Sequence, residues 1–96
     1  MKIVIKRLMW DEWNIAHIAR HDVIPEEVEE VCKGVYTSYQ SYDGRYELIG
    51  ATGQGRILLI VLDPELNEGE YYVVTAHTAN RKDRAVYQKD KGGEVA

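Results

Sequence analysis

The spacing of apolar positions changes period repeatedly along these 96 residues, and each change marks a structural element. Residues 2–9 read as a strand. After Trp10 the spacing becomes helical, with Asp11 as N-cap of a helix that runs to about Asp22. Pro25 suits the first position of a second helix, and Glu26 and Glu27 fall in its first turn, where the helix dipole favours acids. Val28 with Val31 or Cys32 forms the apolar stripe, and Gly34 is the natural stop. Ile24 has no side-chain acceptor for the exposed N–H groups of this helix, a local conflict.

Strand signals follow. Residues 35–42 and 45–52 flank Asp43-Gly44, the strongest hairpin signal in the chain. Gly53-Gln54-Gly55 predicts a second tight turn rather than a phosphate loop, since the lysine and spacing of a P-loop are missing. Ile57 to Leu62 is apolar without alternation, the pattern of a central strand covered on both faces. Arg56 opens that strand, so its guanidinium must emerge at the rim or pair with an acid. Residues 63–69 form a polar loop, and 70–76 form the next strand. Asn80 and Asp83 make a near capping box for a last helix ending about Lys91. The order is β-α-α-β-β-β-β-α, a single domain over residues 1–91 with residues 92–96 as a flexible tail.

Composition then excludes several classes. Hydrophobic residues at 45% and charged residues at 29% describe an ordinary globular protein. A single cysteine, Cys32, rules out an internal disulfide framework and suits a reducing, cytoplasmic setting. It reads as a buried thiol at a helix end. Residues 1–7 are too interrupted for a secretory signal, and no apolar run is long enough to span a bilayer. The net charge of −4 is unevenly spread. Residues 1–21 (four cations against Asp11 and Glu12) and 71–96 (five cations against Asp83, Asp90 and Glu94) are each basic. The acids concentrate in residues 22–70, where only Lys33, Arg45 and Arg56 oppose them. Two basic ends brought together would make a positive surface on an acidic body, which a polyanion could use.

Three constellations could carry chemistry. Trp13, His17, Arg20 and His21 share one face of the first helix. Two histidines one turn apart can grip a metal, but Ile18 stands where a metalloprotease helix has its glutamate, and no third ligand follows. His17 reads as part of a helix face packed on the sheet; Arg20 and His21 are the better functional candidates. Arg56 is the second. The third is the strand-to-helix junction, where His77 precedes Arg81, Arg84, Gln88 and Lys91 on one helix face, with Val86 and Tyr87 as anchors. A charge stripe alone is usually a solvated face. His77 changes that, because histidine moves protons near neutrality and cations stabilise anionic transition states.

Trp10-Asp11-Glu12, Arg20-His21-x-Val23, Glu27-x-x-Glu30-Val31, Gly55-Arg56-x-Leu58-x-x-Val61 and Val74-Thr75-Ala76-x-x-Ala79-x-x-x-Asp83-Arg84-x-x-Tyr87 occur in this order. Together they resemble BrnT-type toxins of the RelE/ParE-like superfamily, over about residues 8–90. The resemblance implies an α+β, RelE-like fold: an antiparallel sheet of four to five strands packed by two N-terminal helices and one C-terminal helix. It implies a bacterial type II toxin–antitoxin protein, an endoribonuclease using no metal or other cofactor. RNA would be its substrate and a BrnA-type antitoxin its partner, with a hetero-oligomer of the two as the resting form. It also implies roles: Arg56, His21 and His77 catalytic, Arg20, Arg81 and Arg84 binding RNA, and Tyr87 supporting. Two departures stand out. Arg20-His21-Asp22 replaces the family's Lys-His-Gly, and Thr75-Ala76-His77 puts histidine where the family has a functional arginine. A non-catalytic toxin-like module that only binds an antitoxin-type partner is therefore the alternative expectation.

Overall fold

The computed structural model describes residues 3–95, and side chains for residues 3–90. Its elements are β1 (Arg7–Met9), α1 (Glu12–Ala19), α2 (Pro25–Lys33), β2 (Tyr36–Gln40), β3 (Tyr46–Ala51), β4 (Ile57–Pro64), β5 (Glu70–Thr78) and α3 (Arg81–Val95). This is the expected order. The strands form one five-stranded sheet, β1-β5-β4-β3-β2. β2 to β5 are antiparallel neighbours, but β1 pairs with β5 in parallel, so the sheet is mixed rather than antiparallel throughout. The chain leaves β1 through both helices, enters the sheet at its far edge and meanders back, and the last strand meets β1 running the same way. A parallel pair needs such a long crossover.

β1 is also shorter than expected. Strand pairing starts only where the N–H groups of Lys6 and Arg7 converge on the carbonyl of Gly69, at 2.8 and 3.1 Å. Ahead of it Ile3 and Ile5 pack against the core without joining the sheet, and Tyr36 donates from its hydroxyl to the Ile3 carbonyl. Met1 and Lys2, where the predicted strand began, lie outside the described residues. The backbone of α3 is helical past the stop expected at Lys91, through Gly92 and Gly93 to Val95, because no proline removes a donor there. Of the predicted tail, Ala96 lies outside the described residues.

Both hairpins close in the same way. Ser41 N–H bonds to Arg45 O across a three-residue loop, and Thr52 N–H bonds to Arg56 O across another, each at 2.8 Å. The last loop residue is Gly44 or Gly55, with φ of 88° and 84°, left-handed values that glycine reaches without a Cβ penalty.

β4 is covered on both faces, as its uninterrupted apolar run implies. Leu58, Ile60 and Leu62 join the main core with Ile18 of α1, Val28 and Val31 of α2, and Leu48, Val73 and Ala76 of the sheet. On the opposite face Ile57 and Leu59 meet Ile49, Ala79 and Tyr87, so α3 covers that side. α2 lies close on β3 at Gly50, where a Cβ would stand 2.8 Å from Val31 Cγ1. Among the described residues, no helix is long and apolar enough to cross a membrane.

Candidate active site

α1 is stitched along an edge of the sheet, and this builds the site. Asp11 caps the helix in a reciprocal box: its carboxylate accepts from Asn14 N–H, and Asn14 Oδ1 accepts from Asp11 N–H, both at 2.9 Å. The buried Asn14 amide then donates to Met9 O at 2.9 Å and to Val73 O at 3.1 Å. β1 covers β5 only as far as Tyr72, so Asn14 takes over where strand pairing ends.

From that stitch the two elements run side by side. A helix rises about 1.5 Å per residue and a strand about 3.3 Å, so one helical turn keeps pace with two strand residues. Four residues after Val73's partner region this brings histidines into line. His17 Nε2 lies 3.0 Å from Thr75 Oγ1, and the His21 ring meets the His77 ring with centroids 5.7 Å apart, at 62°. His17 and His21 stand edge to face at 5.4 Å. Three imidazoles thus form a row. His17 is exposed, contrary to its reading as a packed helix face, because Asn14 and Ile18 turn inward instead. The i, i+4 spacing of His17 and His21 was visible in the sequence, but their meeting with β5 was not.

β5 extends to Thr78, two residues past its predicted end, so His77 sits inside the strand opposite Leu59. Its Nδ1 lies 2.9 Å from Thr78 O. A carbonyl can only accept, so that contact requires the proton on Nδ1 and leaves Nε2 of the neutral ring as a lone-pair acceptor.

The turn carrying His21 is held from below. Asp22 N–H bonds to Ala19 O and Val23 N–H to Ile18 O, both at 3.1 Å, a Schellman closure with Asp22 in the left-handed region at φ 58°. Ile18 and Val23 supply its buried apolar contact. Arg56 secures it further: Nη1 donates to Asp22 O at 2.6 Å and to Glu27 Oε1 and Oε2 at 3.0 and 2.9 Å. Of the two outcomes open to Arg56, pairing with an acid is the one realised. Glu27 Oε1 also accepts from Ile24 N–H at 3.2 Å, which meets part of the capping deficit at Ile24.

The second junction follows its predicted chemistry. Asn80 Oδ1 accepts from Asp83 N–H at 2.8 Å, and Asp83 Oδ2 from Asn80 N–H at 3.4 Å. Arg84 Nη1 donates to Ala79 O at 3.0 Å. Tyr87 is buried and anchors α3, whereas Val86, the other expected anchor, is 43% exposed, being one residue and about 100° further round the helix. Arg20, Arg81, Arg84 and Gln88 are exposed, and the side chain of Lys91 lies outside those described. Cys32 is an inert thiol, pushed up to about 12 by burial and by the charge of Glu29. Among the described residues, no group of histidine, cysteine and acidic side chains is arranged to hold a metal ion.

No protein-family model and no curated protein matches this sequence.

Proposed function

We propose that the chain is a BrnT-like toxin of the RelE/ParE-like superfamily, an endoribonuclease that blocks translation by cutting RNA and is restrained by a BrnA-type antitoxin. The observation that carries this reading is the approach of His21 and His77 from two different elements to 5.7 Å. Two imidazoles at that separation can address one phosphodiester. The Nδ1 contact of His77 suits it to act as base through Nε2, taking the proton from a ribose 2′-OH. The freed 2′-oxygen attacks the adjacent phosphorus. His21, as imidazolium, gives its proton to the departing 5′-oxygen, leaving a 2′,3′-cyclic phosphate and a free 5′-hydroxyl. No electrons change hands and no metal is required by this step. The exposed Arg20 and Arg81 would draw in the RNA backbone and favour the extra negative charge on phosphorus.

In this reading Arg56 acts through His21. Its guanidinium is spent on Glu27 and the Asp22 carbonyl, so it fixes the turn rather than meeting phosphate. That same ion pair favours the second reading, a non-catalytic module that only binds an antitoxin-type protein, because it leaves the site one strong cation short. Incubating purified protein with single-stranded RNA in a chelator tests both. Cleavage to cyclic-phosphate ends, lost in His77→Ala, supports the nuclease. Intact RNA, harmless expression and tight binding to the product of a neighbouring gene would support the module.

A further inference from the structure

Trp13 is 76% exposed, although tryptophan is a largely buried residue in most proteins. Neighbouring positions of α1 do go inside: Asn14 and Ile18 are buried on either side of it. A single exposed apolar side chain needs no explanation by itself. The setting of this one does. Trp13 lies one turn before His17 on the same helix face, and His17, His21 and His77 continue the line at ring spacings of 5.4 and 5.7 Å. Arg20, exposed and seven residues on, flanks the same line. An open indole, a row of imidazoles and an arginine combine the two elements of single-strand recognition, a stacking surface for bases and a polar track for the backbone.

Resting on the ribonuclease reading, we propose that Trp13 is a base-stacking platform: a nucleotide next to the cleaved bond lays its base on the indole while its phosphate lies along His17, His21 and His77. The substrate class is therefore single-stranded RNA with an unstacked base. A duplex cannot use the platform, because its bases are already stacked on one another. Every base has a π-face, so the platform selects for strandedness more than for sequence.

The test is an anisotropy titration of the full chain with a labelled single-stranded RNA whose 2′-hydroxyls are methylated, so that it binds without being cut. Trp13→Ala should weaken binding about tenfold, and Trp13→Tyr, which keeps an aromatic face, should stay within about twofold of the wild type. Indole emission should be quenched on binding in the wild type and not in Trp13→Tyr. A duplex of the same sequence should show no dependence on Trp13. Wild-type affinity in Trp13→Ala, or no RNA binding at all, overturns the proposal. So does a Trp13→Ala variant that keeps RNA binding but loses self-association or binding to a protein partner in sedimentation. The blocked RNA separates this from the catalytic reading. Trp13-dependent binding with no cleavage of unmodified RNA sinks only the catalysis, and His77-dependent cleavage with an unchanged KM in Trp13→Ala sinks only the platform.

Discussion

Arg56 and Glu27 are joined through Arg56 Nη1, which contacts both carboxylate oxygens at 3.0 and 2.9 Å. The pair ties the start of β4 to the first turn of α2, and the same nitrogen reaches Asp22 O at 2.6 Å. Three segments meet there, and His21 is the residue before Asp22.

Removing this clasp should loosen the fold before it touches any chemistry. Both partners are partly buried, so Arg56→Ala should cost about 1–3 kcal/mol, the range for hydrogen bonds to charged groups. In a domain this size each kcal/mol lowers Tm by roughly 4–8 °C. Glu27→Gln should cost less, since the amide oxygen can still accept. A double-mutant cycle on urea midpoints checks the coupling, and additive single effects would mean the contact contributes nothing.

Asp22 bears left-handed strain without being glycine. Asp22→Gly should leave stability unchanged or raise it by up to about 1 kcal/mol, since the strain is relieved while the unfolded chain gains freedom. Asp22→Val should lose at least about 1 kcal/mol, because a branched Cβ fits that region worst. Chemical denaturation of the three proteins orders them directly; equal stability of the valine variant would contradict the turn geometry.

The two histidines should fail in different ways. If His77 is the base and His21 the acid, each substitution to alanine should lower kcat by about 10²–10⁴-fold. His77→Ala should also flatten the acidic limb of the pH–rate profile, and His21→Ala the alkaline limb. Cleavage rates across pH for both variants decide the assignment. Reversed limbs would exchange the roles, and unchanged profiles would remove both residues from the chemistry.

Cys32 offers a pH test of the core. Burial first, then Glu29, push its thiol up from 9.0 to about 12. The folded protein therefore holds a proton that the unfolded chain releases. Its contribution to stability is whole below pH 9.0 and is lost as pH rises toward 12. The drop in urea midpoint between about pH 8 and about pH 10.5 should be smaller in Cys32→Ala than in the wild type. Thiol reagents should label the wild type only after unfolding.

The local chemistry of this chain was legible from its residues. Asp11, Asn80 with Asp83, and the glycines at positions 44 and 55 each act through neighbours within a few positions, so spacing alone reveals caps and turns. The apolar run of β4 likewise announced a strand covered on both faces. What spacing could not reveal were relationships across the sheet. The parallel pairing of β1 with β5 depends on where the chain returns after two helices. The commitment of Arg56 to Glu27 depends on a helix packing beside a hairpin. Sequence by itself determined that His17 and His21 share a helix face and that His77 lies near a strand end. Only the tertiary structure decided that one turn of α1 keeps step with two residues of β5, and that coincidence of rise is what sets the three imidazoles in a row.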